Sequence, residues 1–169
     1  MRLEQVRERC ERLLSDMDVP VPFSMSQFCQ RLGEQRGRLI TLVPLTTTEA
    51  ALASGAWVEL ADHDVILYDT TTTGFHQQLI VAHEVGHLVC DHYPNSVLPP
   101  DVARHLLPSL DPALVRRILS RTDYSNQEEQ EAEMFATLLL RHADRQSDRP
   151  TQGPQAAAVL SQLGSTFEE

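Results

Sequence analysis

The chain has 169 residues, 41% of them hydrophobic but only 5% aromatic, and a formal net charge of −10. That size suits about one domain with an aliphatic core, and no run of ~20 apolar residues offers a membrane span. All 14 basic residues are arginine, and none clusters beyond the pair Arg116 and Arg117. This argues against direct nucleic acid binding, which needs a basic stripe to neutralise phosphates.

The N-terminal segment is charged throughout and lacks a signal-peptide apolar block. Leu3, Val6, Cys10, Leu13, Leu14 and Met17 recur at three- and four-residue spacing, which predicts an amphipathic helix over residues 1–17. The cysteines Cys10, Cys29 and Cys90 are odd in number, widely spaced and without a C-x-x-C pair. They are expected to be reduced core residues of a cytoplasmic protein. After the break "DVPVP", a second helix begins near Ser24, where Ser24 and Gln27 can form a capping box. Gly33 and Gly37 offer stops for it.

"RLITLV" (residues 38–43) is a strand candidate, ended by Pro44. The Thr/Ala-rich stretch 46–54 fits no single element. "AWVEL" (56–60) and "VILYD" (65–69) read as two strands of an antiparallel hairpin around "ADHD". The threonines at 70–73 suit a loop and a helix N-cap. The segment from about Gly74 to Cys90 is apolar on all sides and predicts a buried helix. Asp111 and Pro112 open another helix to about Arg121. Ser125 and Glu128 form a capping box for a last long helix, ending near His142. The expected fold is α+β: mainly helical, with a small mixed or antiparallel sheet beside the buried helix. Residues 1–142 form one domain, and 143–169 a polar linker with a short C-terminal helix or tail.

The buried helix contains His83-Glu84-Val85-Gly86-His87, an H-E-x-x-H pattern. Residues i and i+4 of a helix are about 40° apart around the axis, so both imidazoles can share one metal, and zinc suits nitrogen and oxygen donors. Glu84 sits on the same side and could reach a water at the metal without ligating it. The same pattern also fits a helix with two solvated histidines. The apolar flanks count against that reading, because burying an unliganded polar triplet is costly. Gly86 inside the helix points the same way: it implies close approach of a neighbouring backbone or a substrate.

A third ligand decides the matter. A third histidine at the H-E-x-x-H-x-x-G-x-x-H spacing is absent, since Cys90 and Tyr93 stand at those places and His92 is off by one. The other arrangement takes a glutamate from a later helix. "EEQEAEMFATLLL" provides one: Glu129 and Glu133 share a stripe with Ala132 and Ala136, and the alanines permit close helix approach. Glu129 is the candidate third ligand. Glu133, one turn on, is expected to accept a hydrogen bond from a ligand histidine. Glu128 and Glu131 are expected to form a solvated acidic first turn, favoured by the helix dipole. Tyr124, His92 and His105 are the nearest polar candidates for an oxyanion donor, with nothing to choose between them. "VILYD" is either an edge on which an extended substrate pairs or an internal strand.

The segments "VILYDTTTTGFHQQLIVAHEVGHLVCDH" and "EEQEAEMFATLLL" resemble the ImmA/IrrE family of zinc metallo-endopeptidases. In that family a strand and short loop lead into the H-E-x-x-H helix, and a later helix reads approximately E-x-E-A-N-x-F-A-x-x-L-L-x-P. Glu129, Glu131, Ala132, Phe135, Ala136, Leu139 and Leu140 match it, while Glu133 replaces the usual Asn and His142 stands where proline is common. The resemblance covers residues 1–142. It implies a gluzincin-like, cytoplasmic zinc protease acting on a protein substrate, typically a helix-turn-helix transcriptional regulator. The competing expectation is a non-catalytic, metal-stabilised module that sequesters such a regulator.

Overall fold

The computed structural model describes residues 2–45, 55–60, 62–92 and 124–147. In chain order these form α1 (Leu3–Ser15), α2 (Met25–Arg36), β1 (Leu39–Leu45), β2 (Gly55–Glu59), β3 (His63–Asp69), α3 (Gly74–Val89) and α4 (Asn126–Ser147). The layout is α+β with a three-stranded mixed sheet, as expected in outline. The stretch 46–54, the helix expected at 111–121 and the one expected near the C-terminus lie outside the described residues. Among the described residues, no helix is long and apolar enough to cross a membrane.

The helices follow their apolar spacing and their caps. α1 buries Val6, Cys10 and Leu14, one per turn. Ser24 caps α2, its hydroxyl accepting from the Gln27 N–H at 3.5 Å. Gly37 ends α2 in the left-handed region at φ 66°, a conformation that favours glycine. Gly33 does not stop the helix. It lies within it, where an added Cβ would stand 2.9 Å from the Arg38 carbonyl oxygen.

The hairpin forms: β2 runs antiparallel to β3, with Trp57 opposite Ile66. β1 pairs with the other side of β3 in parallel, with Leu42 opposite Ile66. β3 is therefore the central strand. Its buried run Asp64, Val65, Ile66 and Leu67 has no alternation, because both faces are covered. "VILYD" is thus no edge, and the substrate-pairing role considered for it is ruled out. Pro44 lies inside β1 rather than ending it, since among the described residues β1 is an edge strand, which tolerates a residue without an N–H.

α3 packs on β2 and β3 from one side and on α4 from the other, and α1 covers α4. Ile80, Val81, Ala82, Val85, Leu88 and Val89 of α3 are all buried. Each larger aliphatic of this kind contributes about 1.5–3 kcal/mol by leaving water. The helix carrying His83 and His87 is therefore buried at the centre of the described residues. α4 runs five residues beyond the expected end at His142. Ala143 is buried one turn after Leu139, so the packed face continues into the segment expected to be linker.

Candidate metal centre

Two helices carry the site, and both starts are fixed locally. The Thr73 hydroxyl caps α3 by accepting from the His76 N–H at 3.3 Å. At α4 the Ser125 N–H donates to Glu128 Oε2 at 2.8 Å, and the Glu128 N–H donates to Ser125 Oγ at 3.3 Å. This reciprocal box sets the first turn of α4, which includes Glu129.

The helices touch where α3 has its glycine. A Cβ on Gly86 would lie 2.8 Å from both the Cα and the carbonyl oxygen of Ala132. The close approach implied by a mid-helix glycine is thus the α4 backbone. Ala132 and Ala136, both fully buried, keep the seam narrow. Glu129 lies almost one turn before Ala132 and is brought over the two histidines.

His83 Nε2 and His87 Nε2 are 3.0 Å apart. Glu129 Oε2 lies 3.3 Å from His83 Nε2, and Glu129 Oε1 lies 3.7 Å from His87 Nε2. A tetrahedral zinc with bonds of 2.0–2.1 Å has donor–donor edges of about 3.3–3.4 Å. The three distances, two of them to different oxygens of Glu129, lie near that edge, so His83, His87 and Glu129 could hold an ion. Burial, then the neighbouring His83 and His92, pushes the His87 imidazole down to about 3. It is therefore neutral across the physiological range, as a metal-binding imidazole must be.

Glu84 stands apart from this donor set. Its Oε2 accepts the Trp57 backbone N–H at 2.9 Å. That N–H points away from β3, so the outer edge of β2 faces the centre. Gly55 allows the strand to come this close, since a Cβ there would meet Ile80 Cγ2 at 2.5 Å and Glu84 Cγ at 3.2 Å. Burial is the main force raising the Glu84 carboxyl to about 8; the Trp57 bond opposes it and the Glu129 charge adds to it. Tyr124 stacks flat on His87, with ring centroids 3.6 Å apart and planes 12° apart. Its hydroxyl is buried and finds no hydrogen-bond partner among the described residues. Burial and the nearby Glu84 and Glu129 raise its pKa, so it remains a donor.

No family model, curated protein or solved structure matches this chain.

Two expectations about the surrounding carboxylates are overturned. Glu133, assigned to support a ligand histidine, is exposed, whereas Glu131, assigned to solvent, is 1% exposed. Taking Ala132 as zero, Glu129 lies at about +60°, Glu133 at about +100° and Glu131 at about −100° around α4. With Ala136 at about +40°, Glu133 is the nearer of the two to the alanine stripe, yet Glu131 is the one buried. They differ because α1 packs on the Glu131 side: Arg9 pairs with Glu131 Oε2, and Cys10 Sγ lies 3.6 Å from the Glu131 carbonyl oxygen.

His92 is the other residue whose role the sequence concealed. It is buried behind His87, so it does not face a substrate as an oxyanion donor. His105 lies outside the described residues. Cys90 is buried, as expected of a core residue.

Proposed function

We propose that this chain is a zinc-dependent endopeptidase that cuts a peptide bond in a regulatory protein. His83, His87 and Glu129 are the metal ligands, and Glu84 is the general base. The observation that carries this reading is a division of labour: three donors converge while a second carboxylate, Glu84, is held beside them on a backbone N–H. Bound zinc would supply an acidified water and polarise the scissile carbonyl. Glu84 takes the proton from the attacking water and delivers it to the leaving amine. The charge of a bound zinc would favour the ionised form of Glu84 that accepts this proton. We assign the developing oxyanion to Tyr124, whose ring stacks on His87 and whose hydroxyl lies near Glu84 and Glu129.

A gluzincin-like fold and ImmA/IrrE membership are part of this proposal, supported by the H-E-x-x-H helix, the small sheet beside it and the glutamate from the later helix. The choice of a helix-turn-helix regulator as substrate rests on the resemblance alone. Co-expression with candidate repressors, followed by mass spectrometry of fragments, tests activity and substrate together. Fragments are expected with the wild-type chain and not with Glu84→Gln, which should keep its zinc and its fold. Full biological activity in Glu84→Gln would mean that the protein sequesters its partner without cutting it.

A further inference from the structure

A buried polar chain runs from His87 away from the proposed metal to the surface at Arg9. His87 Nδ1 lies 3.1 Å from His92 Nδ1, and His92 Nε2 lies 3.2 Å from Glu131 Oε2. Arg9 Nη1 donates to the same Glu131 oxygen, and its Nη2 donates to the Cys90 carbonyl at 3.0 Å. Gln127 Nε2 donates to Glu131 Oε1 at 3.1 Å. His87, His92 and Glu131 are 0%, 5% and 1% exposed, so these contacts replace water rather than supplement it.

The backbone builds the first link. α3 ends with Asp91 in the left-handed region at φ 59°. The His92 N–H then returns to the His87 carbonyl at 3.0 Å, and the Cys90 N–H bonds the Gly86 carbonyl at 3.0 Å. The first of these closures places the residue five beyond His87 against His87 itself. His92 is therefore positioned by the helix end, not by chance packing.

With a neutral His92, donors and acceptors along the chain can be arranged in only one way. Glu131, paired with the Arg9 guanidinium, accepts only. His92 must then carry its proton on Nε2, leaving Nδ1 as an acceptor. His87 must donate from Nδ1, which leaves the Nε2 lone pair free on the side of His83 and Glu129. We infer that His92 and Glu131 are positioning residues that lock His87 in the Nδ1–H tautomer needed to ligate metal through Nε2. This rests on the metal reading for its purpose, though not for its geometry. Cys90, His92 and Glu131 also lie close enough together to hold an ion, but Arg9 already supplies the positive charge there.

The test has two parts. In the metal-free wild-type chain, long-range proton–nitrogen spectra of labelled histidine should show His87 as the Nδ1–H tautomer and His92 as the Nε2–H tautomer. His87 protonated on Nε2, or exchanging between forms, would overturn the inference even if no metal binds. In the second part, zinc affinity is measured by chelator competition. His92→Leu should bind zinc about 10–100-fold more weakly, the range for loss of a residue supporting a ligand. His92→Asn, which keeps an acceptor oxygen near the Nδ1 position, should recover most of that loss. Unchanged affinity in His92→Leu, or equal loss in folded His92→Asn, would overturn the relay. A wild-type chain that binds no zinc would instead overturn the metal reading, and the tautomer spectrum would still decide this one.

Discussion

At the residue scale, Glu84 and His87 pull the metal-free protein in opposite directions as pH changes. Folded Glu84 keeps its proton between 4.5 and about 8, where the unfolded chain has released it. Its contribution to stability is complete at low pH and is lost as pH rises through about 8. Folded His87 lacks a proton between about 3 and 6.5, where the unfolded chain binds one. Its contribution is present above 6.5 and is lost as pH falls through about 3. Each slope is at most ~1.4 kcal/mol per pH unit, so the two offset each other where they overlap. Urea melts of chelated protein should show stability falling from mildly acidic pH toward 8. Glu84→Gln should lose that alkaline limb, and an unchanged limb would remove the buried-carboxyl account. Tyr124→Phe makes a separate prediction for the proposed activity. Removing a single oxyanion donor should lower kcat about 10²–10³-fold while zinc content stays constant. Unaltered turnover would assign Tyr124 to packing against His87 alone.

The next scale is the helix seam. Alanine is worth about 1 kcal/mol more than glycine inside a helix, so propensity alone favours Gly86→Ala. The seam opposes it, because the added methyl would meet backbone atoms of Ala132 at 2.8 Å. Overpacking of this kind typically costs 1–3 kcal/mol, so a net loss of stability is expected in thermal or urea melts. The variant should also bind zinc more weakly, since moving α4 outward moves Glu129. A stabilised Gly86→Ala chain would show that the helices are not in backbone contact. The seam also shows which parts of the site were legible in sequence. The i, i+4 histidines, the glycine and the alanine stripe each carry a local signature of close helix packing. Their joint meaning, a glutamate over two histidines, follows from helical periodicity. Glu131 was not legible, because periodicity sets Glu133 nearer the alanine stripe and Glu131 well away from it. Only the place of α1, a tertiary fact, buries one and exposes the other. His92 was concealed differently: its contact depends on Asp91 adopting a left-handed conformation, which Gly or Asn signals more strongly than Asp. The central place of β3 was partly visible, since its unbroken apolar run suits a strand covered on both faces.

At the scale of the whole molecule, the proposed ligands tie α3 to α4, the two elements that together frame the core. Zinc that binds only the folded state should stabilise it by about 4 kcal/mol at a thousandfold excess over Kd. Melts with and without zinc should therefore differ in the wild-type chain and coincide in Glu129→Ala. Arg9 extends the same framework outward, since it joins α1 to Glu131 of α4 and to the end of α3. The α+β class and most helix starts followed from apolar spacing and capping residues. The parallel pairing of β1 with β3 did not, because it joins segments separated by β2 and has no local turn to announce it.

The most direct measurement is the zinc content of the purified full chain, reconstituted with zinc and freed of excess metal. Wild type and Glu84→Gln should each hold about one zinc per chain, and Glu129→Ala should hold less than about a tenth of that. Equal zinc in Glu129→Ala and wild type would contradict the ligand set, and no zinc in the wild-type chain would contradict the metal centre itself.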